Sequence, residues 1–474
     1  MLKGWTGKRL HIDLTLRKAW SEDIPEGELR QWFGGRGINA SFFHRNFPPP
    51  LSFTENPIAF AVGPLTGTLA PCSGWTSIAS FSPFSAPPRY AFTRMPGHFG
   101  VPLKGAGFDQ CIVQGKADRP VYLWIDNGKV KFEEAGHLWG KETTETTVAI
   151  QEEKGDRGIE VLCIGPAGEK QLPFANVIHR LSWTGDRLGL GYLFGIKHLK
   201  AIAIRGKKPV ALHDPEGFLN LCLMLKDRIQ KDRKIETLKE EGTFSFSNDS
   251  SLPDSEKQWA TSLGAYLAGQ ESCFACPVHC GRNIQDGESY TGGIHLEKAW
   301  HLGPNIGVYN GEWTLKLHHL CQAQGLDPFL TGLLLTKMLE GPGNAPLSDP
   351  LSHEDPGQTD HLWDQGEKAF TILRRIIHDG KNGFHLTVPS SSENEDLDVL
   401  ADIIPFCTIA VNRFNPMTIS NTIELISAAT GYTLSIEDLR ATVQNILRME
   451  SELQNIERID EILKREEQRN ESTA

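Results

Sequence analysis

Three cysteines lie within eight residues of one another: Cys273, Cys276 and Cys280 in the segment GQESCFACPVHCGRN. A C-x2-C-x3-C run supplies three thiolates from one loop, and a cubane iron–sulfur cluster needs a fourth from elsewhere in the chain. Zinc is the alternative, because His279 could join the three cysteines, although the second C-x2-C pair of a zinc ribbon is absent. A chance grouping of cysteines is the third interpretation. The spacing favours iron–sulfur chemistry over the other two.

The composition limits the partners that such a site could serve. The 474 residues contain 48 Lys+Arg and 59 Asp+Glu, a net charge of −11, which has the wrong sign for general binding to nucleic acids or anionic membranes. The first thirty residues lack the apolar core of a signal peptide, and no later stretch has eighteen uncharged apolar residues. Nine cysteines, an odd number, favour reduced thiols over a disulfide scaffold. We therefore expect a soluble, cytoplasmic protein without nucleic-acid or membrane partners.

The elements that must position the cysteines change character along the chain. Up to about residue 210, short runs of alternating apolar and polar residues between glycines predict strands. These runs are LHIDLT, PIAFAV, GWTSIASF, FDQCIVQG, VYLWI, KVKFEE, IEVLCIG and KAIAIRG. The composition then changes at HDPEG, residues 213–217, and we place a domain boundary near 208–216.

Beyond that boundary the apolar residues follow helical spacing. The helical segments are FLNLCLMLKDRIQKDRKIETLKEEG, WTLKLHHLCQAQG, FLTGLLLTKMLEG and QGEKAFTILRRIIHDG. The last helix opens with SIED, a serine with an acid three residues later, which is typical of a helix start. The predicted fold class is α+β, with a β-rich N-terminal domain followed by largely α-helical domains.

The chain also carries a series of short motifs in a fixed order. They are Gly34-Gly35-Arg36-Gly37, GPLTGT at 63–68, SPFSA at 82–86, HFGVPLKGAGFD at 98–109, QGKA at 114–117, LWGK at 138–141, IGPAGE at 164–169, GIKHLKAIAIRG at 195–206, and CFACPVHC. Together they resemble the aldehyde:ferredoxin oxidoreductase family of tungsten or molybdenum bis-pterin enzymes. The resemblance implies a β-rich pterin-binding domain over 1–210, a helical domain with the cluster loop over 211–345, and a shortened helical C-terminal domain over 346–474.

Two aspartates match the pterin-binding segments of that family. They are Asp327 in GLDPFLTG and Asp402 in ADIIPFCTIA. The second segment ends at Cys407, which the resemblance implies is the fourth cluster ligand. Five residues span at most about 17 Å, so one segment can reach both the pterin and the cluster. Without the family context, each aspartate would be interpreted as an ordinary helix-terminal acid.

Acid–base candidates lie in GGIHLEKAWHLGPNIG, just after the cysteines. Glu297 matches an acid of the family's motif, and His295 and His301 flank it. A carboxylate beside a metal-bound oxygen could take a proton as water attacks an aldehyde carbon. The catalytic candidates are therefore Glu297 and His301. The alternative is a helix with exposed polar residues.

The chain departs from the family pattern at several positions. Trp75 stands where the family has an arginine between pterin and cluster, and Arg94 replaces an asparagine near the bridging magnesium. The family's R-A-[AG]-G-R-G-G is here the segment from Trp183 to Gly189, which retains Arg187. We expect Arg94 or Arg187 to contact the pterin phosphates, since a guanidinium fork suits phosphate. Magnesium joins the cofactors that the resemblance implies.

The resemblance implies a complete redox enzyme. It would oxidise a small aldehyde with water to the acid at a tungsten or molybdenum bis-pterin. The electrons would pass through a [4Fe-4S] cluster to ferredoxin or another electron-transfer protein. An acidic partner requires a basic docking patch, and the candidates are Lys197, Lys200, Arg205, Lys207 and Lys208. The chain could act as a homodimer or as a subunit of a complex.

A missing segment supports a rival interpretation. Only 74 residues separate Asp327 from Asp402, and the family's segment with an active-site histidine has no counterpart there. The alternative is a catalytically reduced paralogue that serves as an iron–sulfur electron relay or as a structural subunit of a larger redox complex. A zinc-stabilised structural protein is the third interpretation.

Overall fold

The computed structural model describes residues 2–46, 53–84, 88–180, 182–248, 252–286, 289–339, 365–380, 396–407 and 417–454. The strands are β1 (Lys8–Asp13), β2 (Lys18–Asp23), β3 (Ile58–Ala61), β4 (Thr76–Ser82), β5 (Arg89–Met95), β6 (Gln110–Gln114), β7 (Val121–Asp126), β8 (Lys129–Glu134), β9 (Glu160–Ile164), β10 (Val177–His179), β11 (Trp183–Thr184), β12 (Leu199–Arg205), β13 (Leu267–Glu271), β14 (Gly281–Asp286) and β15 (Ser289–Ile294). The helices are α1 (Glu26–Trp32), α2 (Gly35–Asn46), α3 (Gly100–Ala106), α4 (Thr143–Lys154), α5 (Pro166–Glu169), α6 (Leu190–Ile196), α7 (Pro215–Gln230), α8 (Arg233–Glu241), α9 (Asp254–Gly264), α10 (Leu296–His301), α11 (Gly311–Gln324), α12 (Pro328–Leu339), α13 (Gln365–Asp379), α14 (Asp396–Ile403), α15 (Ile419–Thr430) and α16 (Ile436–Gln454).

Two six-stranded mixed sheets dominate the N-terminal part of the chain. Their strand orders are β2-β1-β6-β3-β4-β5 and β11-β10-β9-β12-β7-β8. Most neighbours are antiparallel, whereas β1 pairs with β6 and β12 pairs with β7 in parallel. Helix α2 packs against β3 and β4, and every residue of these two strands is buried. All eight strands predicted from alternating runs are present, and the predicted α+β class is confirmed.

A small third sheet holds the cysteine loop. Strands β13, β14 and β15 pair in that order, all antiparallel. Glu271 at the end of β13 pairs with Gly281 at the start of β14. The intervening loop, residues 272–280, therefore begins and ends at adjacent points of one sheet, and it carries three cysteines.

Helices follow the composition change at 213–217, as predicted. Helix α7 begins at Pro215, and the Asp214 carboxylate caps it by accepting a hydrogen bond from the N–H of Gly217. The sequence pattern predicts one continuous helical stretch from there to residue 242. The structure divides it into α7 and α8, because Asp232 accepts hydrogen bonds from the N–H groups of Lys234 and Ile235 and starts a new helix.

The C-terminal helices return to the N-terminal domain. Both α14 and α16 pack on α2, and one hydrophobic core contains Ile38 of α2, Ile403 of α14 and Ile446 of α16. Of the predicted domain 346–474, the structure describes residues 365–380, 396–407 and 417–454. The division at 210 and 345 stays a prediction. None of the described helices combines the length and apolarity needed to cross a bilayer.

Candidate functional site

The loop between β13 and β14 and the segment after α14 bring four cysteines together. Cys273, Cys276, Cys280 and Cys407 are each at most 9% exposed. Burial raises the pKa of the Cys273 and Cys280 thiols, and neighbouring sulfurs, Cys407 among them, raise it further. The predicted fourth thiolate therefore lies within electrostatic reach of the loop cysteines, although more than 120 residues of sequence separate it from them.

Four cysteine thiolates are the donor set that a cubane iron–sulfur cluster requires. Among the described residues, no three His, Cys, Asp or Glu side chains converge closely enough to hold one metal ion. Each thiolate of a cubane binds a different iron, so cluster ligands stand around a larger body than one zinc ion. Burial and the nearby cations Lys239 and Arg282 lower the pKa of His279, so its imidazole is neutral. The donor set fits an iron–sulfur cluster.

Two glycines of the predicted motifs seat the segment that carries Asp402 and Cys407. A Cβ at Gly35, where φ is +45°, would overlap the backbone oxygen of Asp402. A Cβ at Gly63 would lie 2.9 Å from the oxygen of Ile404 and 2.8 Å from Pro405. Only glycine permits this close approach. These motif glycines therefore position the aspartate and the cysteine.

Asp402 lies in a buried group of charges. Its Oδ2 accepts a hydrogen bond from Arg36 at 2.9 Å, and its Oδ1 lies 3.3 Å from Arg94 Nε. Burial raises the pKa of Asp402, opposed by Arg94 and Arg36. Arg94 also lies 5.8 Å from the centroid of the Trp75 ring. The predicted pterin residues Asp402, Arg94 and Trp75 therefore come together, and we call them the Asp402 group.

The Asp402 group leaves polar atoms available. Within the described chain, Asp402 Oδ1, Arg94 Nη1 and Trp75 Nε1 are buried and lack a hydrogen-bond partner. Buried polar atoms in native proteins are normally paired, with protein, water or a ligand. These atoms fit a polar cofactor lying between them.

Asp327 and Arg187 meet at a second place. Asp327 Oδ2 accepts a hydrogen bond from the backbone N–H of Arg187 at 2.6 Å, and Oδ1 accepts one from the N–H of Leu330 at 3.0 Å. The second bond caps α12, so Asp327 has the geometry of a helix-terminal acid as well. Burial and the nearby Asp186 raise its pKa. Sequence reasoning missed Asp186, which is held by Asn176 Nδ2 at 3.1 Å.

The two acid–base candidates differ in their surroundings. The Glu297 side chain is 75% exposed, and Arg187 Nη2 donates to its Oε1 at 3.2 Å. His301 packs on Phe329 with ring centroids 4.5 Å apart, and the Arg187 guanidinium lies 3.7 Å from the same ring. Burial and Arg187 lower the pKa of His301 to about 4. His301 is therefore neutral at pH 7, while Arg187 connects both candidates to Asp327.

Two further side chains with buried polar atoms join the candidate site. His295 precedes α10, and its ring lies 5.1 Å from that of Trp183. In the described chain, His295 Nε2 and Trp183 Nε1 have no hydrogen-bond partner. Burial lowers the pKa of His295 to about 3, so its imidazole is neutral. The available signal for Trp183 was its place in the motif where the family has an arginine.

The predicted basic docking patch is wrong for two of its five residues. Lys197 is fully buried and donates to the backbone oxygens of Thr54 and Gly115. Lys200 is also fully buried and pairs with Glu169. These lysines bind backbone oxygens and a carboxylate around the second sheet. The sequence pattern alone does not distinguish such buried lysines from exposed lysines at the end of a strand. Lys207 and Lys208 are exposed.

Comparison with known proteins identifies close similarity along most of the chain. Residues 9–206 match the N-terminal domain of aldehyde ferredoxin oxidoreductase, and residues 234–386 match its domains 2 and 3. A tungsten-containing aldehyde ferredoxin oxidoreductase of Pyrococcus furiosus is 31% identical over 72% of this chain and 59% of its own length. The corresponding protein of Pyrococcus abyssi is 34% identical over 71% of this chain and 58% of its own length. The chain thus spans less than two thirds of these relatives.

Two less similar proteins have names that describe a subunit or a complex. A Pyrococcus furiosus protein named aliphatic sulfonate oxidoreductase, WOR-like subunit, is 28% identical over 79% of this chain and 64% of its own length. A solved chain of the active-site complex BamBC of benzoyl coenzyme A reductase superposes with a TM-score of 0.78 at 20% identity. That superposition covers 97% of this chain and 90% of the other.

Proposed function

Because this chain belongs to the aldehyde ferredoxin oxidoreductase family, a family of oxidoreductases, we propose that it oxidises a small aldehyde with water to the carboxylic acid. The proposal includes a [4Fe-4S] cluster on the four site cysteines, a tungsten or molybdenum bis-pterin, and ferredoxin or a similar protein as electron acceptor. One observation carries it: Cys407 lies with the three loop cysteines. Asp402, five residues earlier, lies buried in a group of cations.

The two aspartate sites support a cofactor with two organic halves. Asp402 lies with Arg94 and Trp75, and Asp327 lies with Arg187. In this proposal each aspartate receives one pterin, and the two arginines neutralise phosphate charge. When bound, the metal–pterin group supplies the two-electron oxidation of the aldehyde. The protein supplies binding and orientation.

In this proposal Glu297 and His301 have different roles in the reaction. Glu297 accepts the proton of the attacking water at its carboxylate, and the bond from Arg187 Nη2 orients that carboxylate. Neutral His301, with its proton on Nδ1, donates a hydrogen bond to the substrate oxygen; Nδ1 is a buried atom without a hydrogen-bond partner in the described chain. Arg187 contacts Glu297, and its guanidinium lies over Phe329, on which His301 packs. It therefore acts as the positioning residue of the pair.

We expect Glu297→Gln to lower kcat about 10²- to 10⁴-fold, the range of a lost general base. The iron content per chain should not change, because Glu297 is exposed and the proposed iron ligands are all cysteines. Steady-state kinetics of aldehyde oxidation, with a redox dye as acceptor, measures the effect. His301 should add no step to the pH–rate profile above pH 5, since its pKa is about 4.

The matched control for this variant is Glu312→Gln. Glu312 is likewise exposed and pairs with a cation, Lys316 at 2.7 Å, on helix α11. Its substitution should leave kcat unchanged. Equal turnover in Glu297→Gln and the wild type would remove Glu297 from the mechanism.

A second candidate function is an electron-relay or structural subunit of a larger redox complex. Two observations favour it: the 74-residue spacing between Asp327 and Asp402, and the exposure of Glu297. A relative is named a subunit, and the solved chain with the same fold comes from a complex. This candidate keeps the cluster and lacks aldehyde turnover.

Anaerobic purification followed by metal analysis tests both candidates. About four iron atoms per chain with tungsten or molybdenum supports the enzyme, and iron without either metal supports the relay. Zinc as the sole metal would refute both. Turnover of a panel of small aldehydes with the loaded protein then separates the enzyme from a relay that binds the pterin without catalysis.

A further inference from the structure

Cys72 lies at the junction of the two segments that carry the cluster cysteines. Its N–H donates to the oxygen of Ala275 at 3.3 Å, and its oxygen accepts from the N–H of Cys407 at 3.0 Å. The side chain is fully buried, and its Sγ lies 3.8 Å from Cys276 Sγ. The backbone therefore connects Cys72 to both cysteine segments, while its sulfur contacts one of the cluster ligands.

The backbone conformation of Cys72 is unusual. Its φ is +64°, in the left-handed region that a residue with a Cβ rarely adopts. Such conformations persist where the surrounding structure holds them, and they concentrate at functional sites. The two backbone hydrogen bonds of Cys72 supply that support. They direct the thiol toward Cys276.

The direction of the hydrogen bond follows from the chemistry of the ligand. At 3.8 Å, the two sulfurs are within hydrogen-bonding distance. A cysteine that ligates iron is a thiolate and has no hydrogen to donate. The hydrogen between the two sulfurs must then belong to Cys72. Hydrogen bonds to the sulfurs of an iron–sulfur cluster help set its reduction potential, because they offset the added negative charge of the reduced state.

We propose that Cys72 is a positioning residue of the cluster, whose thiol donates a hydrogen bond to Cys276 Sγ and raises the cluster's reduction potential. The inference rests on the proposed [4Fe-4S] cluster. It assigns a role to a fifth cysteine of this region, which otherwise resembles an ordinary buried thiol.

The experiment compares Cys72→Ala and Cys72→Ser with the anaerobically purified full chain. Iron content per chain and the midpoint potential, from a redox titration followed by electron paramagnetic resonance, are the two readouts. We expect full iron in both variants, a more negative potential in Cys72→Ala, and a potential close to wild type in Cys72→Ser, whose hydroxyl still donates. Cys111→Ala is the matched control, because Cys111 is buried on β6 and should affect neither readout.

The outcomes separate the alternatives. An unchanged potential in Cys72→Ala, an equal shift in Cys72→Ser, or loss of iron from both variants would overturn the proposal. Iron loss confined to Cys72→Ala would also overturn it, because the thiol would then be needed to bind the cluster rather than to raise its potential. An iron-free wild type would instead remove the cluster from the proposed function, and this result is obtained before any variant is compared.

Discussion

Cys407→Ala is expected to lose the proposed [4Fe-4S] cluster, about four iron atoms per chain. The other three proposed ligands lie in one loop, and Cys407 is the proposed ligand from the C-terminal part of the chain. Its neighbours make replacement by water unfavourable, since Cys407 is 5% exposed and follows the buried residues Ile404 and Phe406. Metal binding is coupled to folding, so we also expect a lower unfolding temperature than that of the iron-loaded wild type. Iron content and the visible absorption of the purified protein measure the loss.

Cys321→Ala is the control for this prediction. Cys321 is fully buried in α11, within a hydrophobic core that contains none of the site cysteines. The same truncation there should leave the iron content unchanged. In the single variant, the Cys72 thiol beside the site could bind iron in place of Cys407. The double variant Cys72→Ala/Cys407→Ala removes that possibility. Full iron in that double variant would show that Cys407 is not the fourth ligand.

The sequence predicted eight of the twelve strands in the two large sheets and missed β2, β5, β10 and β11, three of which lie at sheet edges. Strand β4 was found because its run of apolar and small residues stands between Gly74 and the proline-containing segment SPFSAPP. Strand β5, RYAFTRM, lies at the edge of the same sheet and pairs with β4 alone. Its mixed burial, with Arg89 exposed and Arg94 half-exposed, leaves no alternating signal. Arg94, a predicted site residue, is therefore on a strand that the pattern did not predict.

The candidate site was predictable where its residues are close in sequence. Cys273, Cys276 and Cys280 carry their chemistry in their spacing, and a motif pointed to Cys407. Cys72 had no such signal, because an isolated cysteine is most often a small buried hydrophobe. Its place beside Cys276 depends on hydrogen bonds between distant segments. Only the tertiary structure supplies that information.

Arg36 was part of a matched motif without an assigned role, and the structure gives it one. The guanidinium is fully buried, donates two hydrogen bonds to Glu450 at 2.8 and 2.6 Å, and donates one to Asp402 at 2.9 Å. It also lies 3.8 Å from the centroid of the Phe92 ring. Burial alone would lower the pKa of Arg36, but its bonds with Glu450 and Asp402 raise it. Arg36 thus ties α2 to both α14 and α16.

Arg36→Leu is expected to lower the free energy of unfolding by about 3–5 kcal/mol, the cost of leaving a buried charge without its partner. The Glu450 carboxylate loses its bidentate partner in a site where its side chain is 7% exposed. Urea denaturation of the purified protein, followed by circular dichroism, measures the change. As a control, Arg30→Leu removes an exposed pair with Glu26 and a contact with the Tyr432 ring at 5.1 Å, and it should cost at most about 1.5 kcal/mol.

The double variant Arg36→Leu/Glu450→Leu separates charge from packing. Removing both partners leaves no unpaired carboxylate at position 450, and Arg94 still lies 3.3 Å from Asp402. We therefore expect the double variant to be more stable than Arg36→Leu alone, because a buried ion pair contributes less than the penalty of breaking it. If the free energy of unfolding of the double variant is equal to or below that of Arg36→Leu, the main effect of the substitution is the lost contact with Phe92 and not the unpaired charge.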